Sequence, residues 1–259
     1  MSLKTLHYFF RLVRVVRNWP IYVLQVLGVP DNETVYSLRV GYTLRVREGK
    51  SDRGAFHDVW IDQSYNPNMY GLRFNWNTAK NIIDVGGNIG AFTLYAAAAS
   101  PSARIISLEP ETHNLRVLQG NIDRNNLGSR VSAFNVGIGD GRPVTLYTFE
   151  GDEGGNSVYR TREGGVPVMI QTISLGDLLR KYEMKTCDFL KLDCEGAEYE
   201  ALYATPDEDL QRIQCMGIEY HHFSDDPTHR SEYLEQFLTK RGFRVVRHRK
   251  SMMFAVREI

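Results

Sequence analysis

Residues 81–90 read Asn-Ile-Ile-Asp-Val-Gly-Gly-Asn-Ile-Gly, and an alanine-rich stretch, Ala91 to Ala99, follows directly. This order of apolar run, glycines and alanine-rich stretch predicts a strand, a tight turn and a helix. In such an arrangement the N–H groups of the turn face a ligand, and glycine lets the backbone approach it closely. The glycines stand at 86, 87 and 90, which is not the G-x-G-x-x-G spacing of a dinucleotide site. The stretch therefore predicts a site for a nucleotide-type cofactor without phosphate groups.

Acidic residues end the first two predicted strands. Asp84 closes the first strand, and Glu109 follows the apolar run 104–108, 23 residues after Gly86. A carboxylate near that distance accepts hydrogen bonds from ribose hydroxyls in doubly wound folds, so Glu109 is the predicted ribose residue. The alternative is that Glu109 opens the next helix. Asp84 either binds an amino group of the cofactor or accepts bonds from the loop's own N–H groups. S-adenosylmethionine, a sulfonium with an ammonium group, fits this pair of carboxylates.

The rest of the chain continues the strand and helix pattern. Five apolar runs predict parallel strands, at 81–85, 104–108, 131–136, 187–192 and 215–220. Two more runs, at 243–248 and 252–257, predict a closing hairpin. Alternating strands and helices fold into a doubly wound sheet. Residues 81–259 are therefore predicted to form a Rossmann-like α/β domain with a seven-stranded sheet, in which one strand is antiparallel.

Two further segments are predicted before this domain. Residues 35–76 alternate in β fashion, so the segment 31–80 is predicted to be a β-rich, antiparallel preamble. Residues 1–30 hold four Lys or Arg and no acid, so their formal charge is +4. Their apolar and cationic residues alternate with helical spacing and predict an amphipathic helix. This helix either packs on the core or in a homodimer contact, or lies on an anionic membrane surface.

A second hairpin interrupts the pattern between the third and fourth parallel strands. Strand-like runs at 144–149 and 168–173 flank a glycine-rich segment, 150–165. Long loops in compact domains are commonly functional. The segment is therefore predicted to be a mobile lid or an acceptor-binding loop that stands outside the cofactor site.

Polar residues follow the fourth and fifth parallel strands. Lys191 and Asp193 end the fourth strand, and Glu219 and His221 end the fifth. Because ligands of open α/β sheets bind at the carboxyl ends of the strands, these side chains are expected in the same crevice as the glycine turn. Asp193, Glu219 and His221 are predicted to act as general base, substrate clamp or metal ligands, with Asp193 and Glu219 as the pair for a divalent cation such as Mg²⁺. The alternative for Lys191 is an internal ion pair.

Composition bounds the class of protein. The chain has 259 residues, 42% of them hydrophobic and 24% charged, with a formal net charge of zero, which suits one α/β domain with additions. The three cysteines form no C-x-x-C pair, so free thiols and a cytoplasmic protein are predicted. No apolar run reaches the roughly 18–20 residues of a membrane span. A peripheral membrane contact through residues 1–30 stays open.

Several motifs together resemble the FkbM-type methyltransferases, a branch of the class I S-adenosylmethionine-dependent enzymes. They are Ile83-Asp-Val-Gly-Gly-Asn-Ile-Gly90, Leu108-Glu-Pro110, Asn121 to Asn126, Val136-Gly-Ile-Gly-Asp140, Thr172-Ile-Ser-Leu-Gly-Asp177 and Leu190-Lys-Leu-Asp-Cys-Glu-Gly-Ala-Glu198. The last run is the most specific, and the resemblance covers roughly residues 80–245. Gly87 stands where the family commonly has alanine.

The resemblance implies methyl transfer from S-adenosylmethionine to a hydroxyl group on a sugar, a glycan or a secondary metabolite. The cofactor-binding residues that follow from it are Asp84, Gly86, Asn88, Gly90, Glu109 and Asp140. For the chemistry we favour Asp193, Glu219 and His221, with Lys191 orienting the acceptor or stabilising an oxyanion. The expected partner is a small-molecule or glycan acceptor and not a nucleic acid, because the Asn/Asp-Pro-Pro-aromatic signature for exocyclic amines is absent. N-methylation and a non-catalytic binding module are the alternatives.

Overall fold

The computed structural model describes residues 3–29, 33–47, 51–149, 156–159, 163–248 and 251–257. The strands are β1 Glu33–Ser37, β2 Thr43–Arg47, β3 Asn81–Val85, β4 Arg104–Leu108, β5 Val131–Phe134, β6 Gly137–Ile138, β7 Val144–Thr148, β8 Val166–Ile170, β9 Thr172–Ile173, β10 Cys187–Leu192, β11 Ile213–Glu219, β12 Phe243–His248 and β13 Met252–Arg257.

The α-helices are α1 Leu3–Val15, α2 Trp19–Val26, α3 Asp52–Phe56, α4 Ala91–Ala99, α5 Thr112–Arg124, α6 Leu175–Lys181, α7 Glu198–Tyr203, α8 Asp207–Leu210 and α9 Ser231–Thr239. A π-helical turn, His57–Ile61, continues α3, and two 3₁₀ turns, Pro67–Tyr70 and Trp76–Thr78, lead into β3.

Seven strands form one sheet in the order β12-β13-β11-β10-β3-β4-β5. The strands from β11 to β5 are parallel to one another, and β13 runs antiparallel to both β11 and β12. The central strands β3, β4 and β10 are buried almost throughout, because a parallel sheet carries helices on both faces and its strands are mostly apolar. The predicted doubly wound, seven-stranded α/β sheet with one antiparallel strand is confirmed.

The sheet separates two hydrophobic cores, because successive residues of a strand point to opposite faces. Ile82 and Phe189 pack with α4, α5 and the N-terminal segments. Ile83 and Leu190, one residue further along each strand, pack with α6, α7 and α9. The sheet is thereby held rigidly from both sides, and the carboxyl ends of its parallel strands lie together at one edge.

Only part of the preamble predicted as β is a strand pair. β1 and β2 pair antiparallel and are tied to α5 by the side-chain oxygen of Asn121, which accepts a bond from the Arg45 N–H at 2.8 Å. Residues 52–61 are helical, so the prediction of strands up to residue 76 is wrong there. The reason lies in Val59, Trp60 and Ile61, which are consecutive and all buried. A helical turn against the core can bury such a run, whereas a half-buried strand buries every second residue.

The N-terminal segment forms two helices, with a break between Val15 and Trp19. α1 packs on the core through Leu12, and Val16 just beyond its end is also buried. Leu6 and Phe10 face solvent. Within the residues described, no helix is long and apolar enough to cross a membrane.

The inserted hairpin is confirmed, since β7 and β8 pair antiparallel. β8 begins at Val166, two residues before the predicted start, and β9 pairs in parallel with β6 instead of extending the hairpin. Of the predicted glycine-rich lid, residues 150–155 and 160–162 lie outside the described residues. Its described part folds back on β7, because the Tyr147 N–H donates to the Ser157 carbonyl at 2.8 Å.

Candidate functional site

A first cavity, a space of about 670 Å³, lies where β3, β4 and β10 end. The loop after β3 contributes Gly86 and Asn88 to its wall, and the loop after β4 contributes Glu109. Asp193 and Glu195 come from the loop after β10. Residues that are up to 109 positions apart, from Gly86 to Glu195, therefore meet in one cavity because their strands are parallel neighbours.

Glu109 is held in a fixed orientation in this cavity. Its Oε2 accepts a hydrogen bond from the Asn88 N–H at 2.7 Å, and its Oε1 accepts one from the Glu111 N–H at 2.8 Å. Burial raises the pKa of the Glu109 carboxyl to about 7, although the two backbone bonds act in the opposite direction. Each carboxylate oxygen has a second lone pair, so Glu109 keeps acceptors for the hydroxyl groups of a ligand.

The loop after β3 bends through left-handed backbone conformations. Gly86 has φ 78°, Asn88 has φ 47°, and Gly90, the residue that caps α4, has φ 89°. Glycine adopts this conformation freely, and asparagine tolerates it better than most residues. Among the described atoms, Asn88 Oδ1 is buried and has no hydrogen-bond partner. The loop thus offers an acceptor at the point where both Asn88 and Glu109 line the cavity.

Asp84 and Lys191 form a buried ion pair behind this loop. Lys191 Nζ lies 3.2 Å from Asp84 Oδ1, and the Thr93 hydroxyl donates to Asp84 Oδ2 at 2.5 Å. Asp84 is fully buried and is absent from the walls of the cavities at these strand ends. The structure therefore places Asp84 behind the cofactor loop and not in the cavity wall.

Lys191 connects that pair to the loop and to the end of its own strand. Its ammonium donates to the Gly86 carbonyl at 2.7 Å and lies 3.4 Å from Asp193 Oδ2. Burial by itself would lower the pKa of Lys191, but the carboxylates of Asp84 and Asp193 outweigh it and raise this pKa above its ordinary value. Lys191 is thus a permanent cation. It forms the internal ion pair that was the alternative prediction for this residue.

A second cavity, of about 760 Å³, lies on the other side of the glycine loop. It shares Gly86, Asn88, Asp193 and Glu195 with the first cavity. Its far wall comes from the N-terminal extension, from residues 51 to 65. Two ligands in these cavities would therefore meet at those four shared residues.

Tyr65 joins two of the predicted catalytic carboxylates across this second cavity. Its hydroxyl oxygen lies 2.8 Å from Asp193 Oδ2 and 2.7 Å from Glu219 Oε2. The hydroxyl has one hydrogen, so both contacts are hydrogen bonds only when one of the two carboxyl groups carries a proton. Burial, and then the charge of Asp193, raises the pKa of Glu219 to about 7. Tyr65 was not predicted as a site residue, because it belongs to no motif and lies 128 residues before Asp193.

Glu195 and His221 form an acid–base pair next to Asp193, in addition to the contacts that Tyr65 makes. His221 Nδ1 lies 3.0 Å from Glu198 Oε1, and its Nε2 lies 3.5 Å from Glu195 Oε2. Burial raises the pKa of Glu195 to about 8. Burial lowers the pKa of His221, but its hydrogen bond to Glu198 and the nearby carboxylates raise this pKa overall, to about 10. At neutral pH His221 is therefore an imidazolium that orients Glu195, and it has no free lone pair with which to accept a proton.

The structure does not bring Asp140 to the other predicted cofactor residues. Asp140 accepts bonds from the backbone N–H of Arg142 at 3.0 Å and from its Nε at 2.7 Å, within an exposed turn. It lines a wide surface depression together with Tyr159 and Glu200, and it is absent from the wall that contains Glu109. In this position Asp140 stabilises its own turn.

The inserted hairpin closes the first cavity. Asn156 and Val158 line it together with Glu109, and the Ser157 hydroxyl donates to the Glu195 carbonyl at 2.7 Å. The segment 150–165 was predicted to stand outside the cofactor site. For its residues 156–159 the structure corrects this prediction, because the bond between Ser157 and Glu195 fixes the segment over the end of β10.

An outer cavity, of about 820 Å³, adjoins the second one. The two have Asp58 and Glu219 in common, and the remaining wall of the outer cavity includes Tyr8 and Arg11 of α1. Glu219 therefore faces the second cavity on one side and the outer cavity on the other.

The profile of the methyltransferase FkbM domain matches residues 84–245 of this chain, which is more than half of its length. The matched segment contains the glycine loop, Glu109, Asp193 and Glu219. The extension that supplies Tyr65 and the far wall of the second cavity precedes it.

Curated relatives and a solved structure are similar to the chain. The methyltransferase sdnD of Sordaria araneosa is 27% identical over 65% of this chain and 75% of its own length. The 31-O-demethyl-FK506 methyltransferase FkbM of Streptomyces tacrolimicus is 23% identical over 77% of this chain and 82% of its own. The AMB antimetabolite synthetase AmbE of Pseudomonas aeruginosa is 29% identical over 63% of this chain, but the match spans only 9% of that protein. The O-methyltransferase from Bacillus cereus in complex with SAH superposes with a TM-score of 0.46 at 17% identity, over 78% of this chain and 83% of that one.

Proposed function

This chain belongs to the FkbM methyltransferase family, and from that premise we propose that it transfers the methyl group of S-adenosylmethionine to a hydroxyl group of a sugar, a glycan or a secondary metabolite. The donor binds in the first cavity and the acceptor in the second. The observation that carries this proposal is the sharing of Gly86, Asn88, Asp193 and Glu195 between the two cavities. Methyl transfer needs donor and acceptor in contact, and these four residues are where the cavities meet.

The donor cavity suits S-adenosylmethionine through its acceptor groups. Glu109 offers two fixed oxygens for ribose hydroxyls, and Asn88 offers a free amide oxygen. Asp193 places a carboxylate at the shared wall, which is suited to the positive charge of the sulfonium. The cavity has no P-loop-like cation for a phosphate among the residues that line it. S-adenosylmethionine supplies the reactive methyl group, and the protein positions it.

The acceptor cavity supplies a path for the proton that an alcohol loses. As the acceptor oxygen bonds to the methyl carbon, the bond from carbon to sulfur breaks, and the hydroxyl proton passes to Asp193. The Tyr65 hydroxyl, between Asp193 and Glu219, carries a proton on to Glu219 as it accepts one from Asp193. Glu219 releases it towards the outer cavity. Lys191, charged and 3.4 Å from Asp193, orients that carboxylate. General-base assistance of this kind contributes about 10²–10⁴-fold to a rate.

A divalent cation is the second candidate for activating the acceptor. Asp193, Glu195 and His221 each offer one ligand atom, and these atoms lie within 4.8 Å of one another, so the donor set fits an ion once His221 has lost its proton. The pair predicted from the sequence, Asp193 and Glu219, is instead joined by Tyr65. An ion there would lower the pKa of a bound hydroxyl. Inhibition by a chelator that Mg²⁺ reverses would select this version over the carboxylate base.

The function is tested by incubating the full chain with S-adenosylmethionine and two acceptor panels, one of sugars, glycans and hydroxylated metabolites and one of amines. Release of S-adenosylhomocysteine, together with the mass of a methyl ether, is the expected result with the first panel. Methylation of amines alone would establish N-methylation instead. Binding of S-adenosylhomocysteine without turnover of either panel would favour a non-catalytic binding module.

The assignment of the donor cavity predicts the effect of Glu109→Gln. Glutamine keeps the shape, but one oxygen becomes an amide donor facing a backbone N–H, so the ribose contact is lost. Calorimetry is expected to show binding of S-adenosylhomocysteine weakened by about 1–3 kcal/mol. Glu208→Gln is the matched control, because Glu208 is exposed at the start of α8 and lines neither the first nor the second cavity. Equal affinities in the two variants would remove Glu109 from the ribose role.

The raised pKa of Glu219, about 7, predicts the dependence of the rate on pH. A carboxyl group accepts a proton only when it is ionised, so the proton path is blocked below this value and open above it. The ratio kcat/KM is expected to rise about tenfold per pH unit below about pH 7 and to level off above about pH 8. Initial rates with a saturating donor, measured between about pH 5.5 and about pH 9, give this dependence of kcat/KM on pH. In Glu219→Gln the rise near pH 7 is expected to disappear; a wild-type profile in that variant would exclude Glu219 from the proton path.

A further inference from the structure

The N-terminal helices expose an apolar surface that the rest of the chain does not cover. On α1, Leu6 and Phe10 are one helical turn apart and 36% and 55% exposed. On and just after α2, Leu24, Val26 and Leu27 are 47%, 57% and 72% exposed. α2 contains no charged residue and not one fully buried side chain, although its composition is that of a core helix. Soluble surfaces rarely expose contiguous apolar patches unless they bind a partner.

Positively charged side chains lie next to this apolar surface. Phe10, Arg14 and Arg17 follow one another at spacings of four and three, so they lie on the same side of α1 and the turn after it, and both arginines are exposed. Residues 1–30 contain no acidic side chain, and their formal charge is +4. Apolar anchors with flanking arginines on one side of a short helix are typical of a helix that lies in the plane of a lipid interface.

We propose that this N-terminal surface, formed by the exposed residues of α1 and α2, docks the protein on an anionic phospholipid membrane. Leu6, Phe10 and the exposed residues of α2 enter the boundary of the acyl chains, and Arg14 and Arg17 contact the lipid phosphates. The positive charge of the segment favours a lipid surface as the partner, rather than a second copy of the chain. A symmetric contact would place this +4 segment against itself, whereas the cytoplasmic leaflet carries negative charge.

The orientation that follows bears on the rest of the molecule. Tyr8 of α1 lines the outer cavity, but it is two residues from Phe10 and therefore lies on the opposite side of the helix, so the side of α1 that meets the membrane faces away from that cavity. Docking needs no movement of the catalytic domain, because α1 is anchored to the core by Leu12 and by Val16 just after it. The proposal is independent of the methyl acceptor.

The test is cosedimentation of the full chain with vesicles of phosphatidylcholine alone and of phosphatidylcholine with phosphatidylglycerol. The wild-type chain is expected to sediment with the anionic vesicles and to be released by salt. The double variant Phe10→Glu with Leu27→Glu is expected to lose at least about tenfold in binding, since it puts two charges into the apolar boundary. Arg14→Glu with Arg17→Glu is expected to lose about fivefold or more per residue, and only with anionic vesicles.

Matched controls come from another exposed apolar site. Val166 and Met169 on β8 are 59% and 66% exposed, and Val166→Glu with Met169→Glu is expected to bind vesicles like the wild type. Circular dichroism and the thermal shift with S-adenosylhomocysteine show that each variant is folded. Failure of the wild type to sediment, or equal binding by the Phe10 and Leu27 variant, would overturn the proposal. A dimer in light scattering that the same two substitutions dissociate would assign the surface to self-association instead.

Discussion

Asparagine in place of Asp193 is expected to lower the turnover number by about 10²-fold or more and to leave the affinity for S-adenosylhomocysteine within a few-fold of the wild type. The reason is that asparagine keeps the size of the side chain and accepts the Tyr65 hydrogen bond, but it cannot take a proton from the acceptor. The buried Lys191 retains Asp84 as a charge partner, so the fold is expected to persist. Single-turnover kinetics, together with calorimetry of the donor, separate the two effects.

The control for this variant is Asp123→Asn, on the exposed face of α5, which is expected to match the wild type in both measurements. A different result would refute the assignment of Asp193. If Asp193→Asn loses donor binding but keeps its turnover per bound donor, Asp193 belongs to the cofactor contacts and the base lies elsewhere.

A methyl group added at Gly86 is expected to have the largest effect on stability. A Cβ at this position would lie 1.7 Å from the carbonyl oxygen of Asp193, and the backbone of Gly86 has φ 78°. The left-handed conformation costs a non-glycine residue about 1–2 kcal/mol, and forcing atoms into a packed region costs about 1–3 kcal/mol. Gly86→Ala is therefore expected to lower the free energy of unfolding by about 2–5 kcal/mol and to abolish donor binding at the shifted loop. Urea unfolding and calorimetry measure the two losses.

Gly120→Ala provides the matched substitution. Gly120 lies in the middle of α5, where a Cβ meets no atom within 4 Å. Alanine there is expected to stabilise the chain by about 0.5–1 kcal/mol, because glycine costs that much in a helix interior. Similar unfolding midpoints for the Gly86 and Gly120 variants would mean that the loop at Gly86 can move away from Asp193 without cost.

The sheet was predictable because its signals are local. Each central strand is a mostly apolar run, such as Arg104 to Leu108, and polar residues such as Glu109 and Asp193 follow the strands at the edge of the sheet. The acceptor-side carboxylates Asp193 and Glu219 could be assigned for the same reason, since parallel strands bring their carboxyl ends together. These predictions depended on the order of apolar and polar residues, which can be seen within a few neighbouring positions.

Contacts between distant segments were not predictable in this way. Tyr65 reaches Asp193 from the turn between the helical segment His57–Ile61 and the 3₁₀ turn Pro67–Tyr70, in a stretch predicted as β. The pattern before β3 does not indicate which strand end this turn covers. Asp84 has the same appearance in the sequence whether it faces the ligand or Lys191. Only the position of the Lys191 ammonium, 3.2 Å away, decides between the two. The protonation of His221 likewise depends on Glu198. The two residues belong to different loops, so the spacing of residues in the sequence does not predict their contact.

The second cavity has walls of separate origin. The wall nearest the donor belongs to the segment that matches the family, whereas the opposite wall, residues 51–65, comes from a part of the chain that precedes the match. Under the proposed function this division separates what must be kept from what is free to diverge. The donor half can serve many reactions unchanged, while substitutions in a stretch of 15 residues alter which molecules fit against it. A change of acceptor would then need changes only in residues 51–65. Tyr65 would be the residue of this segment that has to be kept, because its hydroxyl contacts both Asp193 and Glu219.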